Sequence, residues 1–266
     1  MRHQPLVTLA ASLRITAILI FFALLCSDAS AHPEDDFCDA GSGLHPALCQ
    51  QLVEMNRSDA PIVQPLLDEA GNVRSALDTA ILYFDIGLGH ILPGGTDHIL
   101  FVLALFLASE RLRSLIIQIS AFTVAHTATL GLAAAGVINA PGSIVEPLIA
   151  LSIAFVAIEN LYFKDISAWR PLIVFGFGLF HGMGFAGFIS EVGLPPEQFW
   201  SALIGFNVGV EIGQLAVVAA ALALSIPIKR ALRGYNLTYR RTVVQPASIA
   251  IALVGLWWAV SRSFGL

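Results

Sequence analysis

Apolar and polar positions alternate along this chain on the scale of whole helices rather than single turns. Apolar runs fall at 97–110, 114–135, 145–163, 171–190, 198–227 and 242–260, parted by short polar loops. A run of roughly 20 apolar residues matches the thickness of a bilayer core, so these runs predict six membrane-spanning helices. The first is irregular. Pro93-Gly94-Gly95 interrupts the helix before it, and Thr96 or Asp97 is placed to cap the helix that follows. Only about 14 residues, or roughly 21 Å of helix, then remain before Arg111, too little for a core about 30 Å thick. Asp97 and His98 are therefore expected inside the membrane, beside broken backbone of the kind that lines a protein interior or a wet cavity. The segment from Tyr83 to Leu92 is expected to form an interfacial or partly inserted helix.

Composition supports that reading. The chain has 266 residues, 56% hydrophobic and only 12% charged, with a mean hydropathy of +0.77, which excludes an ordinary soluble domain. Arg111 and Arg113, then Lys164 and Arg170, then Lys229, Arg230, Arg233, Arg240 and Arg241 occupy alternate loops. The positive-inside rule assigns those loops to the cytoplasm. Near the start, Arg2 and Arg14 precede the apolar stretch Ile15 to Leu25 and the small-residue site Ala29-Ser30-Ala31, so residues 1–31 read as a signal peptide, with an uncleaved anchor as the alternative. Residues 32–78 form an acidic segment expected in the periplasm. Its cysteines, Cys38 and Cys49, are expected to pair as a disulfide in an oxidising compartment; a metal site using His32 or His45 is the competing reading. The expected fold is an all-α integral membrane protein of a bacterial-type inner membrane: a six-span helical bundle over 79–266, with both termini periplasmic.

The few ionisable residues inside the spans point to chemistry. Counted at about 1.5 Å per residue from the cytoplasmic helix ends, His98, His126, His181 and Glu211 lie roughly 15 to 24 Å deep, in one layer on four helices. Each is costly facing lipid, so together they predict an internal site, which Asp97 joins. On the fifth span Gly205, Gly209 and Gly213 form a stripe suited to close helix contact, with Asn207, Glu211 and Gln214 on nearly the opposite side. Gly178, Gly182 and Ala186 repeat that pattern beside His181, and Thr123, His126 and Thr127 share a face of the second span. Glu146, Glu159 and Asn207 are candidates for an entrance or exit. For Glu146-Pro147 a helix start at the outer surface, and for Glu159-Asn160 a solvated helix end, are equally open readings.

The stretches GHILPGGTDHILFVLALFL, AFTVAHTATL, IVEPLIALSIAFVAIEN, FGFGLFHGMGFAG and FNVGVEIGQLAVV resemble the HupE/UreJ membrane proteins over about residues 80–225. That resemblance implies a secondary permease of the kind linked to nickel supply for hydrogenase and urease. Its first-span signature matches His90, Asp97 and His98, and its later Phe-His-Gly matches Phe180, His181 and Gly182. The spacer between His90 and Asp97 is one residue longer than in that signature, and Phe185 and Phe188 stand where it has a second His and a Glu.

The leading expectation is thus a transporter or facilitator for a divalent transition metal, with nickel, cobalt, zinc and copper not distinguished, held by His90, Asp97, His98, His126, His181 and Glu211. Its partners are the metal ion and the lipid bilayer, with no nucleic acid. No nucleotide-binding motif appears, so a metal gradient, the membrane potential or coupled protons must supply energy. An intramembrane metal-dependent hydrolase, or a metal-binding sensor or assembly factor, is the alternative.

Overall fold

The computed structural model describes residues 74–109, 111–163, 168–185, 194–234 and 238–265. The signal peptide, most of the acidic segment and the Cys38–Cys49 pairing lie outside the described residues. Within them the protein is helical, without strands. In chain order the elements are α1 (Ala76–Ile91), α2 (Thr96–Ala108), α3 (Leu112–Ala134), α4 (Gly142–Tyr162), α5 (Arg170–Gly184), a short 3-10 turn (Pro196–Gln198), α6 (Phe199–Gly234), a π-helical turn (Arg240–Val244) and α7 (Gln245–Phe264).

Among the described residues four helices, namely α3, α4, α6 and α7 with the π turn continuous with it, are long and apolar enough to cross a membrane, and α1 with α2 makes a fifth if that pair is one broken span. The pair bends by 70° at the Pro-Gly-Gly break. Glycine is needed there, since a side chain at Gly95 would run into the backbone of His90. Gly95 itself precedes α2 and no side chain caps the helix, so Thr96 and Asp97 sit in its first turn instead of capping it. α4 begins at Gly142, five residues before the proline expected to open it, because Pro141 presents its carbonyl to the amides of Ile144 and Val145. Pro147 falls just past that first turn, where it removes one helical hydrogen bond.

Three helix pairs build the core, and small residues set each contact. α1 lies along α6, where Gly205, Gly209 and Gly213 face Ala80, Phe84 and Ile91, and Gly87 of α1 faces the Phe206 carbonyl. This is the packing expected of the glycine stripe, and it makes α1 an integral part of the bundle. α5 lies along α3, with Gly178 and Gly182 against the carbonyls of Phe122 and His126. α7 lies along α4, with Gly255 against Ala150 and Ala154. At the end of the bundle near the start of α1, Thr79 donates to Gln198, and Gln198 donates to the Arg74 carbonyl, tying α1 to the start of α6. The α2 helix is surrounded, with Leu100, Phe101, Val102, Ala104 and Leu105 all buried.

Candidate metal centre

Four histidines from four helices converge beside the break. His90 ends α1 and His98 stands in the first turn of α2, so the bend folds two imidazoles from one short stretch onto each other, with ring centroids 4.8 Å apart. His126, from the middle of α3, lies 5.8 Å from His98 and 6.4 Å from His90 by the same measure. His181, in the last turn of α5, lies 5.0 Å from His98. One ligand nitrogen each from His90, His98 and His126 can be chosen so that all lie within 4.8 Å of one another, a spacing that one ion can bridge with small side-chain movements.

Hydrogen bonds fix which nitrogen two of these rings present. The Asn207 side-chain amide donates to the Leu203 carbonyl at 2.8 Å, which turns its oxygen toward His126 Nδ1, 3.0 Å away. A carbonyl oxygen only accepts, so Nδ1 of His126 carries the proton and Nε2 keeps its lone pair. Ser152 acts in the same way on His181. Its hydroxyl donates to the Ile149 carbonyl at 2.6 Å, so it accepts from His181 Nε2 at 3.0 Å and leaves Nδ1 with the lone pair. His126 Nε2 and His181 Nδ1, together with Nε2 of His90 and of His98, are buried without a hydrogen-bond partner. Neutral imidazoles oriented by hydrogen bonds from behind are the arrangement that binds transition metals.

The surrounding wall is aromatic. Phe101 and Phe122 flank His181, and Phe122 and Phe206 each lie near-parallel to the His126 ring. Phe185 packs on His90 at 4.0 Å and stacks on Phe206. The Phe185 ring thus closes the cluster with an apolar face.

The carboxylates stand apart from the four imidazoles. Both oxygens of Asp97 are held by Arg262 of α7, at 2.9 and 3.1 Å. Glu211 accepts from Ser120 at 2.8 Å and from Thr123, which places it one helical turn beyond His126 on α3 and beyond Asn207 on α6. Glu159 pairs with Arg170 at 3.4 Å, and the backbone carbonyl of Glu146 lies 3.5 Å from Arg262. Asn160, beside Glu159, joins helices by donating to the Ala104 carbonyl and to Ser248. Of the expected site residues, the structure thus brings together His90, His98, His126 and His181, gives Asn207 the role of orienting His126, and holds Asp97, Glu211 and Glu159 in pairings of their own, Glu159 with Arg170 at the other end of α5 from His181.

Ser152 and Arg262 were not expected at the site. Ser152 carried only the weak signal of a lone hydroxyl in the apolar run LIALSIAFVAI. Arg262 carried a better one, as a cation beyond the last span on the side where the other loops have none.

A helical bundle with membrane-length apolar helices and a buried cluster of four imidazoles, two of them oriented by hydrogen bonds, defines an integral membrane protein with a buried site suited to a divalent metal. The HupE / UreJ protein family matches residues 68–262, and the chain belongs to that family, which is related to nickel and cobalt transport. No curated protein and no solved structure matches the chain.

Proposed function

We propose that the protein carries a divalent transition-metal ion across the membrane through the histidine cluster. The observation that carries this reading is the set of four buried imidazole nitrogens without hydrogen-bond partners, converging from four helices at a break in the first span. An ion arriving there exchanges water for nitrogen ligands, for which nickel, cobalt, zinc and copper have high affinity. Glu211, one turn away with its hydroxyl donors, offers an oxygen ligand on the route past the cluster. In the proposed orientation, within a bacterial-type inner membrane, the arginine-rich loops face the cytoplasm, six spans cross, and the acidic segment with its Cys38–Cys49 disulfide lies in the periplasm behind a cleaved signal peptide.

Two features favour transport over hydrolysis. The cluster is walled by phenylalanines, and its nearest carboxylates among the described residues are engaged by Arg262 and by the hydroxyls of Ser120 and Thr123, so none of these is a free general base beside the metal position. The test is metal uptake into liposomes holding purified protein, comparing nickel, cobalt, zinc, copper and manganese, with His98→Ala and His181→Ala beside the wild type. Selective uptake by the wild type, reduced at least tenfold in both folded variants, is expected. Uptake equal to that of protein-free liposomes would defeat the reading, and tight binding without uptake would move the assignment to a sensor or assembly role.

A further inference from the structure

The ion pair between Asp97 and Arg262 joins residues 165 positions apart in sequence, on α2 and α7. It is bidentate and mostly buried, with 18% of the Asp97 side chain and 13% of the Arg262 side chain exposed. Asp97 immediately precedes His98, so the carboxylate lies on the neighbouring face of the same helical turn as a cluster imidazole. A fixed positive charge beside four neutral rings opposes a doubly charged ion, while a carboxylate in the same place favours one.

The geometry points to Arg262 as an exchangeable counter-ion: it holds Asp97 while the cluster is empty of cargo and gives the carboxylate up when the metal arrives. This rests on the metal reading above. Three features allow the exchange. Arg262 lies in the last turn of α7, two residues before the helix ends at Phe264. Its guanidinium already has two other partners within reach, the Trp258 ring at 5.1 Å and the Glu146 carbonyl at 3.5 Å. A long side chain at a helix end can also extend its head toward the outer surface while its stem stays packed. Once released, Asp97 contributes its charge to an ion held by the neighbouring His98. The two states differ in which cation neutralises Asp97, so the buried carboxylate is never left unpaired, which would be costly.

A permanent strut and an exchangeable counter-ion predict opposite results. Cobalt is the probe, because its visible absorption reports binding directly. Purified wild type, Arg262→Gln, Asp97→Asn and the double variant are titrated with cobalt, and each is melted with and without saturating metal. If Arg262 exchanges, Arg262→Gln binds cobalt about tenfold more tightly than the wild type, because no competing cation has to leave. Its melting temperature then falls below the wild type without metal and recovers with cobalt, and the gain in affinity vanishes in the double variant. Equal destabilisation with and without cobalt, at unchanged or weaker affinity, would overturn the inference while leaving the metal reading intact. Should Arg262→Gln fail to fold, Arg262→Lys carries the comparison, with a smaller gain of the same sign expected from its single-point contact. Failure of the wild type itself to bind cobalt would defeat both readings together.

Discussion

Asn207 and Ser152 decide the chemistry of rings they do not replace. Each has its own donor committed to a backbone carbonyl, so each is left only an acceptor to offer its histidine, and the histidine must present a lone pair to the cluster. Removing either partner frees the ring to rotate or to change tautomer. Asn207→Ala and Ser152→Ala are each expected to weaken cobalt binding about 10- to 100-fold, with the helical circular dichroism unchanged. Equilibrium titration of the purified variants checks this, and a variant with wild-type affinity would show that the ring is held by packing alone. The aromatic neighbours set the stakes of this arrangement, since a low-polarity wall makes a misdirected imidazole hard to compensate with water. At this scale the sequence was partly legible. The histidines stood out because an ionisable group in an apolar run is rare and costly. Their partners did not, because a serine or an asparagine in a membrane helix has many innocuous uses.

At the scale of elements, glycine determines how closely helices approach. The stripe Gly205, Gly209 and Gly213 brings α6 against α1, and the backbone of Phe84 occupies the space that a side chain at Gly209 would need. Backbone cannot move aside as the end of a flexible side chain can. Gly209→Leu is therefore expected to lower stability by at least about 1–3 kcal/mol, read as a lower melting temperature in detergent, and to displace His90 with α1. Gly176 of α5 is the control, since nothing lies within 4 Å of the position a β-carbon would take there. Gly176→Ala should leave the melting temperature unchanged or raise it through better helix propensity, by up to about 1 kcal/mol. Equal losses at both positions would mean that close approach of α6 to α1 does not govern the effect. These stripes were readable in advance because a spacing of four residues returns to one helix face. So was the break after Leu92, where proline and two glycines leave the helix little means of continuing. The start of α4 was not legible, because a proline just inside a helix looks locally like a proline at its beginning.

For the whole molecule, the group of basic residues around Lys229 and the Asp97–Arg262 pair mark opposite ends. A cavity of about 540 Å³ at one end is lined by Ser109, Lys229, Arg233, Thr238 and Arg240, while Asp97, Glu146 and Arg262 meet toward the other. In the proposed six-span orientation, single cysteines at Ser109 and Thr238 are labelled from the cytoplasm and one at Ser263 from outside, in a background with Cys26, Cys38 and Cys49 replaced. An impermeant thiol reagent applied to cells and to inverted vesicles checks this, and labelling of Thr238 and Ser263 from the same side would remove the last crossing. By itself the sequence determined that the chain lives in a membrane, where its helix breaks after Leu92, and which histidines stand out in apolar runs, because hydropathy, helical rise and helical periodicity are local and additive along the chain. Tertiary structure alone decided which partner each polar group took: Arg262 for Asp97, Ser120 and Thr123 for Glu211, and Ser152 and Asn207 for two of the imidazoles. Those pairings depend on how whole helices rotate and dock against one another, and no local pattern in a single run of residues carries that information.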